Sequence, residues 1–309
     1  MSWKHGNRLK LVNESEAPPR TRQVFDEIRN ALGLPVVPKL YQAYAAFPEF
    51  LQLHWQAFRP AFEARHFFLL GARLAAESYT RAHNYFELRS LASRDLLSDS
   101  VAPLPLGQVL DYYQYLDPLL LLVAATQMQA FEGPIGQQPE VPQAAQHPCF
   151  PLAPQLLGDS DATTAVHRIW DERRRMLELA FISDEHRALA CWPRFYSEYW
   201  LALKDLVRLP LYTDSQLRVG ESAWSLTREM PAKVDLGIQQ LLDAGLDDEQ
   251  VSSLVRINEA FLQTLSGLVL DINFARIAFE GGTRRELHTE TKMPVEKPPQ
   301  KTGSPTRAA

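Results

Sequence analysis

Residues 181–193 read FISDEHRALACWP, with a hydroxyl and a carboxylate side by side where an apolar stretch gives way to an amphipathic helix. A carboxylate there could act as a general base, taking a proton from a water that attacks a substrate. The hydroxyl of Ser183 beside Asp184, at a helix N-terminus, could hold an anion. Ser and Asp are also favoured helix N-caps, because their oxygens accept bonds from unpaired backbone amides. On the local residues alone, capping and catalysis both stay open. Two further patterns pair an acid with an imidazole at helical spacing, EARH (63–66) and HNYFE (83–87). A di-iron bundle needs two Glu-x-x-His motifs plus further glutamates. A second motif is missing, so both patterns read as ordinary helix faces. His147 and His167 flank a proline-rich stretch with no partner visible in the sequence. The two cysteines, Cys149 and Cys191, lack CxxC spacing, which argues against a disulfide scaffold, a redox dithiol or a cysteine-rich zinc site. GxSxG, P-loop and GxGxxG motifs are missing too. No metal and no cofactor is expected.

The elements that must position these groups read as helices. Glycine is scarce and alternating strand patterns are nearly absent. In QVFDEIRNAL the apolar Val24, Phe25, Ile28, Ala31 and Leu32 recur at helical spacing, as one buried stripe. Residues 234–281 read as two or three helices broken near Gly245, and LDDEQVSSL supplies acidic residues for a helix N-terminus. The aromatic run WPRFYSEYW (192–200) reads as core. The protein is expected to be all-α. Residues 133–154 hold six prolines without periodicity and read as a linker. Residues 284–309 are polar, lack aromatics, and read as a disordered tail.

The composition is that of a globular protein, 46% hydrophobic and 22% charged over 309 residues, and the chain is long enough for two units. A net charge of -5 disfavours nucleic acid as a partner. The longest apolar run, LLLLVAAT (119–126), is far short of a membrane span, and the first residues show no signal-peptide core. No membrane partner and a cytoplasmic location are therefore expected.

An internal repeat organises the chain. Residues 25–55 align without gaps to 170–200, sharing Asp26/Asp171, Glu27/Glu172, Arg29/Arg174, Leu32/Leu177, Leu34/Leu179, Ala43/Ala188, Ala45/Ala190, Pro48/Pro193, Phe50/Phe195 and Trp55/Trp200. The implied domains are a first helical repeat (1–132), a proline-rich linker (133–164), a second helical repeat (165–283) and the tail (284–309). Two similar units in one chain imply a pseudo-dimer about a pseudo-two-fold axis. The shared residues are mostly core and cap types, so function is sought where the copies differ. At the central loop the first copy has Pro38-Lys39 and the second Ser183-Asp184.

The run from EIRNALGLPVVPKLYQAYAAFPEFLQLHW, through the proline-rich linker, to ISDEHRALACWP resembles the group I 2-haloacid dehalogenases, which invert configuration and act on both enantiomers. The resemblance covers residues 20–282 and is sharpest in the SDxxxALAxWP segment. It implies an all-α pseudo-dimer with the active site between the repeats, a homodimeric assembly and no cofactor. It also implies an aspartate-activated water that displaces halide from C2 directly, without an ester to the enzyme. By resemblance Asp184 matches the catalytic aspartate and Ser183 the residue that helps hold the substrate carboxylate. Several positions depart from the family pattern. Ala64 and Phe68 stand where the family has Thr and Glu, Asp117 replaces an Asn, Leu120 a Tyr, and Val36 and Lys39 replace loop aromatics.

The expected function is thus hydrolysis of a small 2-haloalkanoic acid, with Asp184 catalytic and Ser183, Lys39 and Asp117 binding substrate. The rival is a non-catalytic small-carboxylate-binding protein that keeps the fold. Lys39 and Asp184 are equivalent positions. If the axis brings their loops together, a cation faces an anion across the cleft and favours the ionised carboxylate. Lys39 could instead hold the substrate carboxylate or halide. The plain alternative has it reach solvent by its apolar stem and never meet Asp184.

Overall fold

The computed structural model describes residues 9–86, 91, 94–137, 147–177, 179 and 182–280. The expected tail, Gly281 and Glu87 lie outside them. Twelve α-helices are described: α1 (Pro19–Leu32), α2 (Lys39–Tyr44), α3 (Pro48–Phe62), α4 (Arg65–Tyr85), α5 (Arg94–Leu97), α6 (Leu106–Glu132), α7 (Thr164–Met176), α8 (Asp184–Leu189), α9 (Pro193–Leu203), α10 (Pro210–Leu226), α11 (Ile238–Asp243) and α12 (Asp248–Glu280). The described residues contain no strand, only isolated bridge positions such as the pair Ile135 and Val234.

Local sequence explains the helix limits. Pro19 sits at the start of α1, where its missing N–H costs nothing. Gly33 ends α1 in the left-handed region (φ 65) and returns its N–H to Arg29 and Asn30 carbonyls. Val24, Phe25, Ile28 and Leu32 form the buried stripe, with Ala31 only half-buried. Gly245 (φ 94) turns the chain between α11 and α12. Before α12, Asp247 and Gln250 form a reciprocal capping box. Gln250 N donates to Asp247 Oδ1 at 2.8 Å, and Asp247 N to Gln250 Oε1 at 3.0 Å.

The two long helices α6 and α12 form the centre. They run antiparallel: Arg276 meets Asp111, Gln114 Nε2 donates to Asn273 Oδ1 at 2.7 Å, and Asn258 Nδ2 donates to the Ala124 carbonyl at 2.7 Å. The apolar run 119–126 is buried on every side within α6. It is therefore core of this chain and gives no reason for self-association.

Contacts recur in pairs 145 residues apart. Trp55 Nε1 donates to Glu27 at 2.6 Å, and Trp200 Nε1 to Glu172 at 2.7 Å. Arg29 pairs with Asp26 as Arg174 does with Asp171. α4 and α10 each pack against both central helices. α2 packs on α12, and α8 reciprocally on α6. The described parts of the proline-rich segment are pinned to the body. Phe150 N donates to the Gly33 carbonyl at 2.9 Å, Gln137 N to Met230 at 2.9 Å and Leu157 N to Arg187 at 3.1 Å.

The packing predicts its own test. Leu122→Ala, at a fully buried site in α6, should cost about 2–5 kcal/mol in urea unfolding. Leu217→Ala, at a largely exposed site on α10, should change stability by less than about 0.5 kcal/mol.

Candidate active site

Lys39 and Asp184 each open a six-residue helix, α2 and α8. The residue before each, Pro38 or Ser183, is extended, and neither helix has a side-chain cap. The capping expectation for the Ser183-Asp184 pair is thus not met. Asp184 turns to the other half of the chain, and Lys39 Nζ donates to its Oδ1 at 2.5 Å. Both side chains stay partly open to solvent, 29% and 26% exposed, so the pair sits at a rim that small molecules can reach. The two equivalent positions do meet, and the solvent-directed alternative for Lys39 is overturned. A charge-assisted bond here joins α2 to α8. The Ser183 hydroxyl is buried and makes no close hydrogen bond.

Behind the rim lies an acidic pair. Asp117, on α6, is fully buried, and neither of its carboxyl oxygens receives a bond from a described N–H or O–H donor. Its polar contact is the buried carboxyl of Glu185, on α8. Burial, then the Glu185 charge and the contact with it, then Asp184, push Asp117 well above the ordinary carboxylate range. Burial and Asp184 raise Glu185 as well, while the nearby Ser183 hydroxyl and backbone N–H favour its charged form. Tyr112 and Tyr113, on the turn of α6 before Asp117, are held above the usual phenol range by burial and by these same acids. Tyr112 packs edge-on against Phe150, with centroids 5.0 Å apart. Asp117 was expected to bind substrate, but it lies one layer deeper than the Lys39–Asp184 rim.

A second buried polar set braces α8 from behind. Arg173 Nη2 donates to Asp271 Oδ2 at 2.6 Å and to His186 Nε2 at 2.5 Å. That nitrogen of His186 is therefore an acceptor and the ring is neutral, so its 3.4 Å approach to Asp271 is no ion pair. Burial, then Arg173, lowers His186 to about 4. Burial alone would raise Asp271, but Arg173, with the Tyr212 hydroxyl, outweighs it and holds it low. Tyr212 donates to Asp271 Oδ1 at 2.8 Å.

Sequence reasoning missed Glu185, His186 and Arg173. The repeat held a signal for all three, since their first-copy equivalents are Leu40, Tyr41 and Ile28. Other patterns resolve differently from expectation. Glu63 ends α3 and His66 lies in α4, so EARH straddles a helix break and shares no face. His83 lies in α4, and Glu87 is outside the described residues. Among the described residues no group of three or more His, Cys, Asp or Glu could hold a metal ion. Ala64 and Phe68 are buried, and the Phe68 ring packs on His147 with centroids 4.8 Å apart. Leu120 is buried and Val36 exposed. A groove of about 720 Å³ lies elsewhere, between α4 and α10, lined by Leu69, Arg73, Tyr85 and Arg218 among others. None of the expected site residues lines it. No helix among the described residues is long and apolar enough to cross a membrane.

The fold and site define an all-α protein in which a lysine of α2 meets an aspartate of α8 at a partly exposed rim. A family model described as "Halocarboxylic acid dehydrogenase DehI" matches residues 35–186, which include Lys39, Asp117, Ser183 and Asp184. An (R)-2-haloacid dehalogenase of Pseudomonas putida is 23% identical over 274 residues, covering 85% of this chain and 90% of the relative. Another, of Rhizobium sp. (strain NHG3), is 22% identical over 230 residues, 72% of this chain and 88% of the relative. A solved D-2-haloacid dehalogenase in complex with L-LA shares the fold at a TM-score of 0.78 and 20% identity, over 90% of this chain and 100% of that one. A mutant in complex with D-2-CPA gives a TM-score of 0.79 at 22% identity, over 88% and 96%. The chain is thus similar in sequence and in fold to the 2-haloacid dehalogenases over most of its length.

Two buried histidines make acid sensitivity predictable. His54, stacked on Phe58 and bonded through Nδ1 to Gln127 Oε1 at 2.9 Å, is lowered by burial to about 4, like His186. The unfolded chain binds these protons near pH 6.5 and the folded one only near 4, so stability is full above 6.5 and falls as pH drops towards 4. The loss should be on the order of 3 kcal/mol per histidine. Urea unfolding at pH 7.5 and 4.5 measures it, and His54→Gln should flatten the fall.

Proposed function

We propose that the protein removes halide from a small 2-haloalkanoic acid by direct hydrolysis at Asp184. The observation that carries the reading is the Lys39–Asp184 contact at 2.5 Å. It sets a carboxyl group at a partly exposed rim with a cation beside it. Asp184 takes one proton from a water as the water oxygen bonds to C2. The C2–halogen bond breaks with its electron pair, halide departs from the opposite face, and configuration inverts. The proton then passes from Asp184 to solvent, and no bond to the enzyme forms. Ser183 and Lys39 hold the substrate carboxylate, Lys39 shifting part of its interaction from Asp184 to the substrate. Asp117, one layer back, supports α8 instead of touching substrate. The relatives' printed activities favour the same substrate class.

We propose further that residues 1–132 and 165–283 are tandem copies related by a pseudo-two-fold axis, with 133–164 joining them. The paired contacts support this, as does the reciprocal packing of α2 on α12 and α8 on α6. The homodimer stays a proposal resting on exposed apolar side chains such as Leu209, Leu211, Leu217 and Trp224. A base occupied by an ammonium also suits the rival reading, a carboxylate-binding protein without turnover.

Halide release from racemic 2-haloacids separates the readings. Asp184→Asn should lose at least about a thousandfold in kcat. In heavy-oxygen water under single turnover, the label should appear in the product hydroxyl. Label in Asp184 would show an ester and overturn direct displacement. Lys39→Met should raise KM about tenfold or more, and an unchanged KM would remove Lys39 from substrate binding.

A further inference from the structure

We propose that Asp117 and Glu185 share one proton in the folded protein, carried on Asp117 and donated to Glu185, and that this acid–acid bond holds α8 against α6 and so positions Asp184. Two acids buried on the packed helices α6 and α8, with the Asp117 oxygens unpartnered, call for a proton. Two carboxylates in contact have only acceptors to offer one another, and each is shut off from water. Asp117 has no described donor to satisfy it as an anion, and an unpaired buried carboxylate is too costly to keep ionised. A proton between the groups removes both penalties and supplies the one hydrogen bond that the site allows.

The surroundings place the proton on Asp117. Glu185 has the Ser183 hydroxyl and backbone N–H on its side, and Asp117 has neither. Among the described residues no cation takes the proton's place. On α2, Lys39 is engaged by Asp184. On α12, Arg276 is held by Asp111, Glu280 and Gln114, near the turn of α6 before Asp117. On α4, the buried Ser78 is bound to the Val269 carbonyl. On α6 itself, Tyr112 and Tyr113 are pushed to remain neutral by the same acids. On α8, Asp184 adds a negative charge that makes a second ionisation in the pair harder still.

The shared proton stands on the burial of both acids and on the unpartnered Asp117 oxygens, while its service to Asp184 rests on the dehalogenase reading. The experiment keeps these apart by using Asp117→Asn, whose amide has the size of the acid and donates without titrating. Asp117 holds a proton in the folded state that the unfolded chain releases above about pH 4, so stability drains away as pH rises towards the pair's own ionisation. Urea unfolding at pH 6, 7, 8 and 9 should therefore show Asp117→Asn gaining on the wild type as pH rises and exceeding it at neutral pH. The infrared carbonyl band of a protonated carboxyl should be present in the wild type at pH 7 and lost in the variant. In haloacid turnover, the alkaline limb of kcat/KM should vanish in Asp117→Asn. An unfolded variant, a variant less stable than wild type at every pH, or an unchanged infrared band would overturn the shared proton. A lost band with an unchanged alkaline limb would overturn only its role in positioning Asp184. If no haloacid is turned over, the unfolding and infrared results still decide the pair.

Discussion

Three carboxyl groups and one ammonium occupy the corner where α2, α6 and α8 meet, and the constraint of keeping that corner near neutral shapes what surrounds it. Lys39 reaches Asp184 from the other half of the chain and sets a cation against it. Asp117 and Glu185 have no such partner and lie deeper, where an ion costs far more than at the surface. One cation at the rim and like acids behind it sort the three by depth. The outer acid has the cation beside it, and the inner two are held against ionising together. The ordering follows from which helix carries each group. Asp184 and Glu185 are neighbours at the start of α8, so one side chain can face the rim while the next turns towards α6.

Much of the fold was legible in the sequence. The buried stripe of α1, the break at Gly245 and the acidic start of α12 follow from local rules of periodicity, left-handed glycine and capping. Less legible was what tertiary contact decides. EARH has helical spacing, yet α3 stops at Phe62 and α4 starts at Arg65. The Leu run in α6 is apolar beyond one stripe because α12, α4 and α10 all cover that helix. Periodicity states that a helix is apolar all round, but not which partners surround it.

The candidate site was legible unevenly for a related reason. Lys39 and Asp184 could be paired in advance because the repeat made them equivalent and an axis would bring equivalents together. Glu185 could not be read in the same way. Beside an expected catalytic residue on a short helix it looks like a second first-turn acid, favourable at a helix N-terminus and unremarked. Its meaning comes from Asp117, on another helix and 68 positions away in the numbering. The comparison of copies held the missing clue. Where the first copy places Leu40, an ordinary core side chain, the second places a buried glutamate.

That difference also bears on why only one of the two equivalent corners carries this chemistry. α2 packs on α12 as α8 packs on α6, yet the first corner is built from Leu40, Tyr41 and Tyr44, with the Tyr44 hydroxyl bonded to Asn258. Those groups are neutral, so the corner can be buried without a charge or a shared proton. The second corner has Glu185 and His186 in the places of Leu40 and Tyr41, and it needs Arg173, Asp271 and Tyr212 to satisfy the imidazole side. The two halves of the chain can therefore divide the work. One keeps a neutral, closely packed corner and contributes a single lysine. The other accepts the cost of buried polar groups and contributes the acids. The two contributions meet where Lys39 touches Asp184, so neither half alone contains the candidate site.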